Sequence, residues 1–370
     1  MTSLFSPVKL KGSTLKNRIV VSPMCQYRAQ DGIANHWHTV HLGNLALSGA
    51  GTVIIEATAV EAAGRITPCD LGLYNDATEA ALKTALEAMR VVDRCAIFIQ
   101  LGHAGRKASS HVPWAGGQLI ALDKGGWETF APSAVPFKEG DRAPTALDAS
   151  GLVRIRDAFV EAARRADRLG FDGIELHAAH GYLLHEFLSP LSNRREDAYG
   201  GSLQSRMRFP LEVFEAVRAV FPADRPVGVR VSATDWMDGG WDLSQTICFA
   251  KELASRGVDF IDVSSGGLVP QQKIAIGPGY QVPFAEAVKK EAGIPTFAVG
   301  MITNAEQADA IIGEGKADFV ALGRSILFDP RWPWRAAAAL GATIDAPPSY
   351  WRGLPAQHSG LFRTEISTGQ

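Results

Sequence analysis

The chain has 370 residues and a formal net charge of −2, with 46% hydrophobic and 21% charged residues, a composition that is ordinary for a globular protein and a length that suits one large barrel or two domains. The charge shows no basic excess, so the composition gives no case for nucleic acid or an acidic surface as a partner, and four widely separated cysteines argue against a disulfide framework and against a clustered zinc or iron–sulfur site. No apolar run approaches the ~18 residues of a membrane-spanning helix, and residues 1–18 lack the apolar core of a signal peptide, so we expect a soluble, cytoplasmic protein with no membrane partner.

Eight short and almost continuously apolar segments predict strands that are buried on both faces. In chain order they are 18–24, 51–58, 95–101, 171–177, 225–233, 258–265, 294–300 and 317–323. Eight buried strands that alternate with helices indicate an α/β fold, specifically a (β/α)₈ TIM barrel, in a single domain over residues 1–370. A doubly wound sheet is the second candidate, but no G-x-G-x-x-G segment follows the first strand.

Segments with helical spacing lie between most of the predicted strands. Clear examples are 77–90, 152–170, 244–257 and 304–315. Gly170, Gly257 and Gly315 stand where the C-caps of three of these helices are expected.

Two segments interrupt the alternation of strands and helices. Residues 102–149 are too long for an ordinary βα loop, and an insertion of this size is usually functional, as a lid or a pocket wall. Residues 343–370 follow the last helix and form a C-terminal extension with several aromatic side chains. We therefore predict a barrel with an insertion after the third strand and an extension at its end.

Polar side chains follow the predicted strands at their carboxyl ends, where barrel enzymes place their functional groups. His177, His180 and Tyr182 follow the fourth strand, in the stretch ELHAAHGYLLHEFLSP over 175–190. A lone histidine is usually structural, but two imidazoles and a phenol at one strand end favour a functional cluster. A metal site is an alternative, but it lacks a third ligand of suitable spacing, and Glu186 would have to fold back to supply one.

The last two predicted strands end in glycines and lead directly into helices. Gly300–Met301 follows the seventh strand, and Gly323–Arg324 follows the eighth. In barrels this region commonly binds phosphate through backbone N–H groups and helix N-termini, and Arg324 would add a charge-assisted contact. We expect a phosphate-binding site here.

Six longer segments together resemble one known family. They are LKNRIVVSPMCQY (15–27), QLGHAGRKA (100–108), GIELHAAHGYLLHEFLSPLSNRR (173–195), YGGSLQSRMRFPLEV (199–213), VRVSATDW (229–236) and ALGRSILFDP (321–330). With them the sequence resembles the Old Yellow Enzyme family of flavin-dependent ene-reductases, in particular its bacterial thermophilic-like subclass, over roughly residues 3–355.

The resemblance implies a non-covalently bound FMN and a reaction in two halves. In the reaction that the resemblance implies, NADPH or NADH donates hydride to the flavin and leaves. An activated alkene, such as an enone or a nitro compound, then takes hydride at its β carbon and a proton at its α carbon. By position, His177 and His180 hold the substrate oxygen and Tyr182 donates the proton. Two imidazole N–H donors stabilise charge that develops on that oxygen, and a phenol of pKa about 10 is protonated at neutral pH and can serve as an acid.

The resemblance also assigns roles to further residues, each of which has a plain packing or ion-pair role as its alternative. Cys25 tunes the flavin, Gln100 pairs with its pyrimidine edge, and a cation at Arg230 favours its reduced form. The implied flavin-binding residues are Ser22, Pro23, Met24, Cys25, Ala57, Gln100, His177, Arg230, Gly300, Met301, Gly323 and Arg324. The implied substrate-binding residues are Tyr27, His177, His180, Trp351 and Arg352.

The quaternary structure and three other functions stay open from the sequence. The resemblance implies a homodimer or homotetramer in which Trp351 and Arg352 would reach a neighbouring active site; a tail wrapped on its own barrel is the alternative. His103, Arg106 and Lys107 form either a solvated lid or a substrate contact. A flavin-free aldolase or isomerase, a dienoyl-CoA reductase and a flavin-binding protein without turnover are the competing functions. The dienoyl-CoA reductase needs a cysteine cluster and a second nucleotide-binding domain, and this chain has neither.

Overall fold

Eight parallel strands close into a barrel in the computed structural model, which describes residues 2–92 and 95–363. In order around the barrel, the strands are Ile19–Val21, Thr52–Ala59, Ala96–Gly102, Gly173–Ala178, Val227–Ser232, Phe260–Ser264, Thr296–Ala298 and Phe319–Leu322. Closure comes from pairing of the eighth strand with the first, with Leu322 opposite Val21. All eight overlap the predicted segments, so the predicted TIM barrel is confirmed.

Helices surround the barrel, and several of them begin at a side-chain N-cap. The helices are His36–Ala46, Asp76–Val92, Ala149–Arg168, Leu183–Leu188, Leu203–Val220, Leu243–Ser255, Val282–Ala292, Ala305–Gly313, Arg324–Phe328, Trp332–Ala339 and Pro348–Trp351. Asp148, Asp242 and Asn304 each accept a backbone N–H of the first turn that follows them, which satisfies a donor that the helix itself cannot pair. The three predicted C-cap glycines all adopt positive φ angles, as the prediction required.

The interior of the barrel is apolar at its amino-terminal end. Four phenylalanines and two leucines fill it, namely Phe98, Phe260, Phe297, Phe319, Leu10 and Leu15. The rings of Phe260 and Phe297 stack with centroids 4.4 Å apart. Gly228 makes room for this stack, because a Cβ there would lie 2.3 Å from the Phe260 ring. The two leucines come from an antiparallel hairpin, Val8–Leu10 with Ser13–Leu15, so the hairpin closes this end and leaves the opposite end for the site.

The insertion and the tail both pack on the barrel. Residues 102–149 contain three short 3₁₀ turns and a two-stranded parallel pair, Phe130–Ala131 with Thr145–Ala146. In the tail, Ile344 bridges to Phe362, and the Trp351 indole donates to the Ala346 carbonyl at 2.9 Å. Phe362 also packs edge-to-face on Trp334 of the helix Trp332–Ala339, with ring centroids 4.9 Å apart, so the described tail contacts the helices of its own barrel. Residues 364–370 of the predicted extension lie outside the described residues. Across the parts of the chain that the structure describes, no helix is both long and apolar enough to cross a bilayer.

Candidate active site

The histidine–tyrosine cluster lies at the carboxyl-terminal mouth of the barrel. His177 is the penultimate residue of the fourth strand and pairs across the sheet with Arg230 of the fifth. After this strand the chain turns sharply through His180 and Gly181, which have φ angles of 59° and 75°. The turn brings the three rings together: the His177 centroid lies 5.2 Å from that of His180 and 4.8 Å from that of Tyr182, and both pairs are edge-to-face.

His177 is held as a neutral imidazole with its proton on Nε2. The backbone N–H of Ala179 donates to Nδ1 at 3.3 Å, so Nδ1 is the acceptor and Nε2 carries the hydrogen. Burial and the nearby Arg230 guanidinium hold the pKa of His177 well below its usual range. Nε2 has no hydrogen-bond partner among residues 2–92 and 95–363, and the ring lines a cavity together with Ala57 and Tyr182. His177 therefore presents one N–H donor to a ligand.

His180 shares the mouth but has a different hydrogen-bond partner. Its Nε2 lies 2.8 Å from the hydroxyl of Ser264, which in turn lies 3.4 Å from the amide oxygen of Gln281. The nitrogen that remains for a ligand is therefore Nδ1. Burial lowers the pKa of His180, with Arg230 and His177 adding to the effect, so both imidazoles are neutral at physiological pH.

The Tyr182 hydroxyl is a protonated group without a partner. It makes no hydrogen bond to any residue that the structure describes, and burial raises the pKa of this phenol well above its ordinary value. The ammonium of Lys107 lies 5.0 Å from the centre of the ring and donates to the carbonyls of His180 and Gly267. Burial lowers the pKa of Lys107 to about 8. Tyr182 can thus donate a proton, and the turn that carries it is fixed from the side of the insertion.

Cys25 and Tyr27 follow the first strand and face the same mouth. Burial raises the pKa of the Cys25 thiol well above its ordinary value, and the carboxyl groups of Asp70 and Glu56 raise it further. Cys25 is therefore a neutral thiol rather than a thiolate nucleophile. Tyr27 has a φ angle of 53° and packs edge-to-face on Trp114 of the insertion, with ring centroids 5.6 Å apart.

Four polar residues fill the barrel interior directly below the mouth. Gln100 donates through Nε2 to the Glu175 carboxyl at 2.7 Å, and Arg230 Nε lies 3.1 Å from Asp262 Oδ2. The ion-pair alternative for Arg230 thus describes a real contact. Burial raises the pKa of Glu175, and the neighbouring Asp262 raises it further, while the Arg230 guanidinium opposes this. The carboxyl groups of Glu175 and Asp262 therefore both interact with the Arg230 guanidinium.

These residues suit a flavin ring. The two terminal nitrogens of Arg230 donate to no group within the described ranges, so the side chain keeps four N–H donors for a ligand. The Ser22 hydroxyl is also buried without a hydrogen-bond partner among the described residues. The small side chain of Ala57 lines the same cavity as His177. Unpaired donors on Arg230 and Ser22, together with a small residue that lines the cavity at His177, fit a flat polar molecule such as the isoalloxazine of FMN.

The two glycine segments predicted to hold phosphate lie at neighbouring strand ends. Gly300 and Met301 have φ angles of 117° and 48°, and Gly323 precedes the helix that begins at Arg324. The Ser325 hydroxyl of that helix donates to the Ile302 carbonyl at 2.9 Å, which joins the two segments. Met24 approaches Gly323 from the first strand, since a Cβ on Gly323 would lie 3.9 Å from its sulfur. Arg324 and Met301 are exposed, so both can reach a ligand.

Two alternatives drawn from the sequence do not match the structure. A solvated lid is wrong for His103 and Arg106, which are only 2% and 5% exposed. The third ligand that a metal site would require, Glu186, instead accepts the Arg106 backbone N–H at 2.8 Å. Arg352 is exposed, and Trp351 is half-buried against its own barrel.

Close histidine–carboxylate contacts near the mouth were not anticipated. His185 Nε2 lies 2.9 Å from Asp235, and His103 Nε2 lies 3.0 Å from Glu61. His185 and Asp235 both stand within the motifs quoted above, but nothing in the spacing of two residues 50 positions apart signals their contact. His177 differs from both of these histidines because no carboxylate occupies its Nε2.

Sequence comparisons place this chain in one family of enzymes. A family model described as NADH:flavin oxidoreductase / NADH oxidase matches residues 3–342. The chain is 47% identical over 354 residues to an NADPH dehydrogenase of Geobacillus thermodenitrificans, covering 95% of this chain and 98% of the relative. It is also 47% identical to an NADPH dehydrogenase of Listeria innocua, covering 95% of this chain and 99% of that protein.

Solved structures give the same picture. Morphinone reductase superposes with a TM-score of 0.75 at 31% identity, covering 94% of this chain and 92% of that one. An old yellow enzyme homologue from Zymomonas mobilis superposes with a TM-score of 0.75 at 26% identity, covering 97% of this chain and 99% of that one. A complex of morphinone reductase with tetrahydroNAD superposes with a TM-score of 0.76 at 29% identity, covering both chains fully.

Proposed function

We propose that this protein, which belongs to the NADH:flavin oxidoreductase / NADH oxidase family, reduces activated C=C bonds. Membership of that family makes it an FMN-dependent oxidoreductase that uses a reduced nicotinamide. The substrates are enones and related electron-poor alkenes, including nitroalkenes. The observation that carries this proposal is the set of unpaired donors at one strand end, Nε2 of His177 and the hydroxyl of Tyr182.

The residues that would hold FMN surround the barrel mouth. When bound, FMN supplies the hydride carrier between nicotinamide and alkene. Gln100 and Arg230 would hold the pyrimidine side of the ring, where the positive charge of Arg230 favours added negative charge. The backbone at Gly300–Met301 and Gly323 would hold the phosphate together with Arg324. The remaining contacts in this proposal are Ser22, Pro23, Met24, Cys25, Ala57 and His177.

His177 and His180 bind and polarise the substrate oxygen. Addition of hydride to the β carbon of an enone places negative charge on its carbonyl oxygen. The Nε2 hydrogen of His177, whose position the Ala179 N–H dictates, stabilises that charge together with His180. One such preorganised donor is worth roughly 10²–10³ in rate. Because both rings are neutral, they stabilise the charge by hydrogen bonding and leave proton delivery to another residue.

Tyr182 supplies the proton to the α carbon of the substrate. Its ring lies against His177 at 4.8 Å between centroids, so the hydroxyl and the oxygen-binding donor serve one bound molecule. The raised pKa keeps this phenol protonated at neutral pH. Neither neutral imidazole has to lose a proton under this arrangement.

We further propose a cytoplasmic homodimer or homotetramer in which the tail completes the site of a neighbouring subunit. Arg352 supports this arrangement because it is exposed and pairs with no acidic residue in the described ranges. Trp351 beside it is only partly covered. In this arrangement the two side chains would contact the substrate of the neighbouring subunit.

The variant Tyr182→Phe tests the proposal, since it removes one hydroxyl and almost no volume. NADPH oxidation with cyclohexenone should slow by roughly 10²–10⁴, the usual worth of a positioned general acid. Oxidation with a nitroalkene should fall far less, because a nitronate is stable enough to leave and take a proton from water. The steady-state rates with both substrates and the FMN content of each protein are the measurements.

Tyr199→Phe is the matched control, because that hydroxyl contacts Glu212 away from the mouth. Its rates should equal those of the wild type. If wild-type NADPH oxidation does not respond to either alkene, the substrate class is wrong. If Tyr182→Phe consumes cyclohexenone at the wild-type rate, Tyr182 is not the acid.

A further inference from the structure

Besides the hydrogen bond from the His180 N–H to the Ser232 hydroxyl at 2.9 Å, the turn that carries His180 and Tyr182 is held through the peptide group between His180 and Gly181. Its carbonyl accepts from the Lys107 ammonium at 2.8 Å. Its N–H donates to Nδ1 of His185 at 2.9 Å. The carbonyl and the N–H of a trans peptide point in opposite directions. Lys107 and His185 therefore bind opposite edges of the same peptide group.

This peptide needs such a grip because its conformation is unusual. His180 is not a glycine, yet its φ angle is 59°, in the left-handed region that costs a residue with a side chain free energy. Gly181 follows at a φ of 75°, and a Cβ there would lie 2.3 Å from the Gly267 carbonyl oxygen. Rotation of the peptide would swing Tyr182 away from His177, since Tyr182 is the next residue.

His185 can hold the N–H only as one of its two neutral tautomers. Nδ1 must be unprotonated to accept from Gly181, so the proton must lie on Nε2. Asp235 enforces that choice, because its Oδ1 lies 2.9 Å from Nε2. Both side chains are completely buried, so water does not compete for either contact.

Asp235 is itself fixed as an acceptor. Its second oxygen accepts from the Ser189 hydroxyl at 2.6 Å and from the Trp241 backbone N–H at 2.7 Å. Although burial opposes ionisation, these donors together with His185 hold the pKa of Asp235 below its ordinary value. The carboxylate belongs to the loop after the fifth strand, so it ties the catalytic turn to the neighbouring strand end.

We propose that His185 and Asp235 are positioning residues for proton delivery: Asp235 selects the His185 tautomer, and His185 holds the His180–Gly181 peptide so that Tyr182 faces the substrate. The inference rests on the proposed role of Tyr182. It assigns neither residue a contact with substrate or cofactor.

Two substitutions at His185 separate its two contacts. In His185→Asn the amide oxygen occupies nearly the place of Nδ1, so Gly181 keeps an acceptor while the reach to Asp235 is lost. In His185→Gln the amide extends toward the place of Nε2, so Asp235 keeps a partner while Gly181 loses its acceptor. Both variants leave a polar amide in the same buried space, so each serves as the control for the other.

The readout is the ratio of turnover with cyclohexenone to turnover with a nitroalkene, since only the former depends strongly on Tyr182. His185→Gln should lower this ratio by roughly 10- to 100-fold, as expected when a reacting group is misplaced by about 1 Å. His185→Asn should recover most of the wild-type ratio. A role in stability alone would lower both turnovers equally and leave the ratio unchanged, and that result would overturn the proposal.

Tyr182→Phe measured alongside distinguishes a failure of the positioning role from a failure of the proposed function. If Tyr182→Phe lowers the ratio and His185→Gln does not, the positioning role is wrong while the proposed function stands. If Tyr182→Phe leaves the ratio unchanged, the proposed function fails first. Should His185→Gln not fold, Lys107→Met releases the other side of the same peptide; it should lower the ratio, and an unchanged ratio contradicts the proposal.

Discussion

At the scale of single residues, the carboxyl group of Glu56 lies in an environment that opposes its ionisation. Glu56 lies in the second barrel strand, is 3% exposed, and accepts the Gln26 backbone N–H at 2.8 Å. Burial raises its pKa from 4.5 to about 8, the Gln26 contact opposes this, and Asp70 adds to it. The group is therefore neutral at pH 7, next to the neutral Cys25 thiol. A charge at Glu56 would place a negative group beside the proposed flavin edge.

Replacing this carboxyl group should change how stability depends on pH. The folded chain binds a proton at Glu56 that the unfolded chain releases above about pH 4.5, so the contribution of this group to wild-type stability is fully present below that pH and is lost as the pH rises toward 8. Glu56→Gln cannot ionise and keeps an oxygen for Gln26. Relative to wild type, the variant should gain about 1.4 kcal/mol of unfolding free energy per pH unit across this window. Urea denaturation from pH 5 to 8 at fixed FMN concentration measures it; parallel pH curves would show that Glu56 is ionised when folded.

At the scale of elements, one side chain anchors the insertion over the barrel mouth. Arg106 donates to the carbonyls of Val135 and Pro136 at 3.3 Å and to that of Leu268 at 2.8 Å. It thus joins two stretches of the insertion to the loop after the sixth strand. Trp114 of the insertion contacts Tyr27, so the insertion also forms one wall of the mouth.

Arg106→Lys should loosen the insertion without unfolding the barrel. A lysine keeps the charge but cannot reach three carbonyls in different directions from one planar group. Limited trypsin digestion should cut the variant faster within residues 112–142, and turnover should fall through a higher KM. Arg156→Lys is the control, because Arg156 is a partly exposed residue paired with its neighbour Asp157. Equal cleavage of Arg106→Lys and wild type would mean that other contacts anchor the insertion.

The elements also show what the sequence can and cannot predict. Each barrel strand is announced by its own continuous apolar run, and a helix such as Ala149–Arg168 by its own spacing, so both were predictable within a few residues. The burial of Arg106 was not, because its partners are backbone carbonyls, which every residue possesses and no side-chain pattern marks. The contact of His185 with Asp235 escaped for a related reason: it depends on how a helix and a distant loop meet. Sequence therefore indicated which residues occupy the mouth but not which residues hold them there.

At the scale of the whole molecule, one end of the barrel holds an apolar cluster that stabilises the fold, and the other end holds the candidate active site. The stacked phenyl rings lie at the amino-terminal end and the titratable groups at the other. Phe260→Ala should lower the free energy of unfolding by about 3–5 kcal/mol, the usual cost of removing a buried phenyl. The KM for cyclohexenone should stay unchanged.

Phe328→Ala is the matched control, because that ring is 93% exposed. Its removal should change stability by no more than about 0.5 kcal/mol. Chemical denaturation of both variants at one FMN concentration gives the comparison. A Phe260→Ala protein with wild-type stability would mean that the interior collapses around the missing ring.

Pairing of the eighth strand with the first also determines when the barrel can close during synthesis on the ribosome. Ile19 meets Val320 across the closing seam, so the first strand keeps one edge unpaired until almost the whole chain has been made. At ~5–20 residues per second, that wait lasts roughly 15–60 s. During this time, the first strand of the nascent polypeptide has one edge of unpaired N–H and C=O groups that can pair with a neighbouring nascent chain. A growing copy of this barrel therefore exposes a strand edge to other chains, and that exposure ends when the seam closes.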